Sequence, residues 1–419
     1  MTKTGHRRRL DVVASTYAPI YVVWELTLAC DHACTHCGSR AGVARERELS
    51  TDEAVAVAAQ LAAAGTREVI LIGGEAYLHD GFLDVIRALV AGGVTVGLTT
   101  GGRGVTAALA TAMRAAGLGQ ASVSIDGLEA THDRMRHRRG SFADALAALD
   151  NLRAAGVAIT ANTNVNRLNR GDLEALYEVL RDRGVVGWQV QLTAPLGRAA
   201  DRVAMILQPW DLLDVVPRIA ALKQRARGDG VTLMPGNNLG YFGPEETVLR
   251  SLRAGDRDHW HGCQAGKYVM GIESDGAVKG CPSLQTAHYV GGNLRERDLA
   301  AIWKDAPELA WNRGRTVDAL WGFCRTCDFA EDCLGGCTFT AHAILGRPGN
   351  NPYCHYRART LAKRGQRERL VPADAADGLP FDNGTFELVL EPLDASDPAA
   401  ATAADALVQI DRRPRRREA

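Results

Sequence analysis

From Tyr21 to Leu192 the chain alternates short β-branched apolar runs with longer stretches that place apolar residues every three or four positions. Tyr21 to Leu28, Glu68 to Ile72, Val94 to Thr99, Gln120 to Asp126, Val157 to Asn162 and Trp188 to Leu192 read as strands. The stretches between them read as helices. The first is announced by Ser50-Thr-Asp-Glu53, a capping-box signature, and runs to about Ala64. Six strands separated by helical sequence predict parallel βαβ units, because parallel neighbours need a crossover of about a dozen residues or more. Further on, Tyr268 to Ile272 and Ala277 to Lys279 flank Asp275-Gly276, which predicts a hairpin. Leu233 to Glu246 is dense in Gly, Pro and Asn and predicts an irregular loop. From about Val371 the chain becomes rich in Ala, Asp and Pro and ends in the basic run Arg412 to Arg417, which predicts a partly disordered tail. Within it, Thr385 to Glu391 reads as a short strand for the edge of a partner.

Composition narrows the class without naming a chemistry. Apolar residues make up 46% and charged residues 23% of the 419 positions, as in a globular enzyme with a large core. Lys plus Arg and Asp plus Glu are equal at 49 each, so no net field favours nucleic acid. No apolar run is long enough to span a membrane, and nothing at the start resembles a secretory signal. A cytoplasmic, reducing location is expected.

The cysteines change the picture. Cys30, Cys34 and Cys37 form C-x3-C-x2-C, and no further cysteine follows for more than two hundred residues. Three thiolates on a 4Fe-4S cluster leave one iron without a protein ligand, free to bind a small molecule. A zinc knuckle completed by His32 or His36 is the alternative on this motif alone. The other seven are Cys263, Cys281, Cys324, Cys327, Cys333, Cys337 and Cys354. Paired zinc sites would also use such C-x2-C spacing, whereas ten cysteines over 419 residues do not make a disulfide-stapled domain.

The N-terminal triplet resembles the signature of radical S-adenosylmethionine (SAM) enzymes. The later set, with Gly276 between Cys263 and Cys281 and C-x2-C-x5-C-x3-C after it, resembles the SPASM extension of one branch of that family. The resemblance implies an α/β fold: a partial (β/α)6 TIM-like radical SAM barrel followed by a SPASM iron-sulfur domain. It implies S-adenosyl-L-methionine and three 4Fe-4S clusters, one catalytic and two auxiliary. Cys324, Cys327, Cys333 and Cys354 would ligate one auxiliary cluster, and Cys263, Cys281 and Cys337 would give three ligands to the other. The expected domains are an N-terminal extension (1–20), the barrel (21–230), a connecting loop (231–260), the SPASM domain (261–370) and the tail (371–419).

Barrel enzymes gather their chemistry at the C-terminal ends of strands. There the chain carries Gly73-Gly74-Glu75, which resembles the family motif that receives the cofactor's amino group. Thr99, at the end of the third strand, is expected against the cofactor, as is His36. Alternation puts Ser122, Ser124 and Asp126 on one face of the fourth, and Ser124 and Asp126 match the family's Ser-x-Asp-Gly segment beside the cofactor. Asn162 and Asn164 are expected against the cofactor. Gln191, Thr193, Asn237 and Tyr241 are expected toward the substrate. The basic run Arg134 to Arg139 reads mainly as a solvated surface. The chain departs from the family in three places. His36 stands where an aromatic residue packs near the adenine, Ala76 where proline often follows Gly-Gly-Glu, and Pro282 where sulfatase-maturing members carry an aspartate base. Formylglycine formation is therefore disfavoured.

The resemblance implies an oxidoreductase or maturase that abstracts a hydrogen atom, most often from a ribosomally made peptide during maturation. Its outcomes include cross-linking, epimerisation and oxidative modification. A radical SAM dehydrogenase or epimerase acting on a sugar or aminocyclitol is the alternative, and a non-enzymatic iron-sulfur electron carrier a third. Expected partners are the peptide, a separate leader-binding protein, because the triplet begins only thirty residues in, and an electron donor such as flavodoxin or ferredoxin. Neither nucleic acid nor membrane is expected.

Overall fold

A computed structural model of the protein describes residues 17–397. Strands β1 (Tyr21–Glu25), β2 (Glu68–Ile72), β3 (Thr95–Thr100), β4 (Gln120–Ser124), β5 (Ala158–Val165), β6 (Gly187–Leu192) and β7 (Thr232–Pro235) lie side by side in chain order, all parallel. Helices fill the crossovers: α1 (Thr51–Ala63), α2 (Phe82–Ala91), α3 (Ala107–Ala116), α4 (Glu129–Met135), α5 (Ser141–Ala154), α6 (Leu173–Asp182) and α7 (Leu212–Gly228). On the other side of β1 comes β8 (Val269–Ile272), parallel to it, then β9 (Ala277–Lys279) and β10 (Val290–Asn293), both antiparallel. β7 and β8 are not neighbours, so the barrel is partial and open.

Alternation along the strands decides what faces the opening. Ala121, Val123 and Ile125 are fully buried in the apolar core shared with the helices, where each large side chain contributes roughly 1.5–3 kcal/mol. Ser122 and Ser124, between them, point the other way and stay half-buried. The capping box at α1 is formed, with Ser50 Oγ accepting from Glu53 N and Glu53 Oε2 from Ser50 N at 2.8 Å. A buried ion network pins the later hairpin to the barrel. Arg45 Nη2 lies 3.1 Å from both Glu25 Oε1 and Glu273 Oε2, and Lys279 Nζ lies 2.6 Å from Glu273 Oε1.

The structure departs from the sequence reading at both later segments. Thr232–Pro235, inside the stretch read as a connecting loop, is β7; four residues ending at Pro-Gly are too short to display a period of two. The tail is ordered well beyond Val371: β11 (Gln366–Asp374) and β12 (Thr385–Pro392) pair antiparallel as a two-stranded sheet, so the strand expected at Thr385 to Glu391 is present and pairs on one edge within the chain. Leu370 and Phe386 are buried in the main core, an alternation that the average Ala-Asp-Pro composition hides. Arg412 to Arg417 and the first sixteen residues lie outside the described residues. Among the described residues, no helix is long and apolar enough to cross a membrane.

Candidate iron-sulfur and cofactor site

The loop after β1 carries the cysteine triplet and is held from four sides. Glu48 accepts from Thr27 Oγ1 at 2.6 Å and from Leu28 N at 2.7 Å. Arg198 donates to Cys34 O at 2.7 Å and to Ala41 O at 3.0 Å. The turn between β11 and β12 clasps the same loop: Phe381 N donates to Gly38 O at 3.1 Å and Asp382 pairs with Arg40 at 2.8 Å. Gly73 and Gly74 lie against its backbone; a Cβ on Gly74 would meet Ala29 O at 2.0 Å, so only glycine allows the approach.

The three thiols share one pocket. Burial pushes Cys30 up to about 12, and Glu75, Cys34 and Cys37 add to the shift. Cys34 is buried and receives Arg136 Nη1 at 3.5 Å; Cys37 Sγ is 3.5 Å from Ser39 Oγ. Thiols this reluctant to ionise alone become thiolates when iron supplies the compensating charge, so the donor set fits a cluster. Of the two histidines that could complete a zinc site, His36 is taken by Asp126, its Nε2 lying 3.1 Å from Oδ2, whereas both ring nitrogens of the buried His32 are without a hydrogen-bond partner.

Glu75 ends the ledge beside Cys30. It accepts from Thr100 Oγ1 at 2.5 Å and from Gly101 N at 2.6 Å, two partners the sequence reading did not single out. Asp126, fully buried, joins the other side. Arg136 Nη2 lies 2.6 Å from its Oδ2, and Asn164 N donates to its Oδ1 at 2.9 Å. Burial alone would raise its carboxyl, but Arg136 and His36 hold it well below the usual carboxylate range. Arg136 is thus a buried site residue and not part of a solvated run.

Strand register sets the remaining polar groups in rungs across the open face: Thr99 beside Ser122, Ser124 beside Asn162 beside Gln189, and Asn164 beside Gln191. Asn162 Oδ1 is buried without a partner, as an acceptor awaiting a ligand hydroxyl or amine is. Gln191 donates to Asn164 Oδ1 at 2.9 Å. The other substrate-side residues fall elsewhere. Thr193 is buried and accepts from Asn166 Nδ2 at 3.3 Å, and Asn237 is exposed. Tyr241 is buried at φ +73° with its hydroxyl receiving Cys337 N at 3.1 Å, so it serves the later cysteines and not the barrel opening.

Those later cysteines form two groups. Cys324, Cys327, Cys333 and Cys354 line one pocket with Tyr241 and Phe329. Cys263, Cys281 and Cys337 form the other: burial pushes Cys281 up to about 12 and Cys337 up to about 11, with Cys263 adding to both.

The family model of the radical SAM superfamily matches residues 24–180, and that of an iron-sulfur cluster-binding domain, SPASM, matches residues 263–328. The mycofactocin maturase MftC of Mycobacterium ulcerans is 30% identical over 369 residues, 86% of this chain and 94% of that one. This chain belongs to the radical SAM superfamily. An AdoMet-dependent heme synthase of Methanosarcina barkeri (strain Fusaro / DSM 804) is 29% identical over 358 residues, 83% of this chain and 99% of that protein. The fold is also that of Streptococcus suis SuiB bound to S-adenosylmethionine, with a TM-score of 0.63 at 15% identity over 81% of this radical SAM chain and 76% of that one.

A radical SAM protein binds a 4Fe-4S cluster and S-adenosylmethionine, which together supply a 5'-deoxyadenosyl radical when one electron arrives. In this one, Cys30, Cys34 and Cys37 would hold the iron, and the Glu75 carboxylate, which gathers with Cys30 and Asp31, would receive an amino group. Asn162 offers a free acceptor. Glu75 is pushed up to about 7 from 4.5, first by burial. Its folded value lies above its unfolded one, so its contribution is complete below about pH 4.5 and is lost as pH rises to about 7. That change amounts to up to about 3 kcal/mol in the ligand-free protein. Glu75→Gln should flatten this decline between pH 4.5 and 7 in urea denaturation; an unchanged slope would assign it to another group.

Proposed function

We propose that this protein holds three 4Fe-4S clusters, cleaves S-adenosylmethionine and abstracts a hydrogen atom from a ribosomally made peptide. The observation carrying this reading is the pair of half-buried amides Gln189 and Gln191, set at the barrel opening beside the cofactor-side Asn162 and Asn164. Amides present donors and acceptors together, as a peptide backbone does. The relative named a maturase supports the same substrate class. A separate leader-binding protein and a flavodoxin or ferredoxin would complete the system. The relative named a heme synthase favours a second reading, a porphyrin substrate.

The test is anaerobic: reconstitute with iron and sulfide, add S-adenosylmethionine and a strong reductant, and quantify 5'-deoxyadenosine. One arm contains a short peptide encoded beside this gene, another an iron porphyrin, and a third neither. More 5'-deoxyadenosine with the peptide, together with a change in peptide mass, supports maturation. Stimulation by the porphyrin alone would replace the peptide reading.

A further inference from the structure

Arg315 stands in the loop that runs between the two groups of later cysteines. Its Nη1 donates to Thr338 Oγ1 at 3.0 Å, and Thr338 is the buried neighbour of Cys337. Its guanidinium lies 5.6 Å from the centre of the Trp311 ring, which packs with Cys263 and Cys281 against the apolar cluster of Ala265, Leu284 and Tyr289. Nη2 is buried with no hydrogen-bond partner. Burial pushes the Arg315 guanidinium below its ordinary value, and the thiols of Cys263, Cys324 and Cys333 and the Tyr289 phenol oppose that shift. No carboxylate pairs with it among the described residues.

The buried, unpartnered Nη2 end of this half-buried guanidinium calls for an anion, because a charge left uncompensated away from water is destabilising. Thiolate-ligated iron-sulfur clusters are anions; the contacts with Thr338 and Trp311 set this cation beside the Cys263, Cys281 and Cys337 group, and Cys324 and Cys333 of the other group also act on it electrostatically. We propose that Arg315 is the shared counter-charge of the two auxiliary clusters and sets their reduction potentials. This rests on the reading that both cysteine groups hold clusters. Reduction adds a negative charge to a cluster, and a nearby fixed positive charge favours the reduced form. Arg315 therefore keeps both clusters able to accept an electron arriving from a substrate radical. It acts through the clusters and touches no reacting atom.

The experiment is an EPR-monitored potentiometric titration of reconstituted full-length protein, in a Cys34→Ala background that silences the N-terminal cluster. Arg315→Gln should lower both midpoints, with the reduction equilibrium shifting at least tenfold, ~59 mV for a one-electron couple. Arg315→Lys should restore most of the shift. If Arg315→Gln loses iron while Arg315→Lys keeps both iron and potentials, the charge is again what matters. Full iron content with unchanged midpoints in Arg315→Gln would overturn the assignment, as would equal loss of iron in both variants, which marks a packing role. Absence of auxiliary signals before Arg315 is altered would sink the cluster reading itself.

Discussion

Cys34→Ala abolishes 5'-deoxyadenosine formation while leaving the protein folded. Cys34 is the buried member of the triplet, and its thiol faces Arg136 at 3.5 Å. Two thiols cannot hold a cubane whose fourth iron is already given to a ligand, so the whole cluster is lost. Iron content should fall by about four atoms per chain, with cofactor cleavage at background and the signals of the later cysteines unchanged. Circular dichroism should match the parent, because Arg136 keeps its pairing with Asp126 at 2.6 Å. Retained iron together with retained cleavage would show that the triplet is not the catalytic cluster site.

Asp126→Asn carries the second large effect, this time on stability. The carboxylate is fully buried and compensates Arg136, itself buried, while also facing His36. Its removal leaves a guanidinium in the core without its counter-ion, at about 3–5 kcal/mol. Asp126 titrates below the usual carboxylate range, so its contribution is present above its unfolded value and lost only in strong acid. The parent and Asp126→Asn stability curves should therefore run parallel through about pH 5 to 8. A deficit of less than about 1 kcal/mol, or one that closes as pH falls toward 5, would mean that Arg136 is compensated elsewhere.

The parts of the molecule legible in its sequence are those where chemistry dictates residue type and spacing. Metal ligation admits few side chains, so the cysteine pattern announces its purpose, and the parallel strands announce themselves through β-branched runs between helices. The alternation of Ser122 and Ser124 with Val123 told correctly which groups face the opening. Arg136 was hidden because its partner Cys34 is 102 positions away and it sits within a run of arginines that reads as a solvated surface. A signal was present: Arg136 lies one helical turn beyond His132, whose Nδ1 accepts from Asp126 N at 3.0 Å. Thr100 and Gly101 were hidden for a related reason, since only the packing of β2 against β3 brings them to Glu75. Tyr241 looked like a cavity residue because its loop is rich in Gly, Pro and Asn. In the fold that loop packs against the later cysteines.

The clasp of the β11–β12 turn on the cysteine loop bears on when iron can enter. Arg40 and Asp382 are 342 positions apart, so at 5–20 residues per second the loop emerges from the ribosome roughly 20 to 70 s before its clasp does. During that interval Cys30, Cys34 and Cys37 lack the contacts from Phe381 and Asp382 that later cover Gly38 and Arg40. A metallochaperone acting on the nascent chain would meet an uncovered loop, whereas in the finished protein the turn already lies against Gly38 and Arg40. Iron incorporation should accordingly be faster during synthesis than after purification.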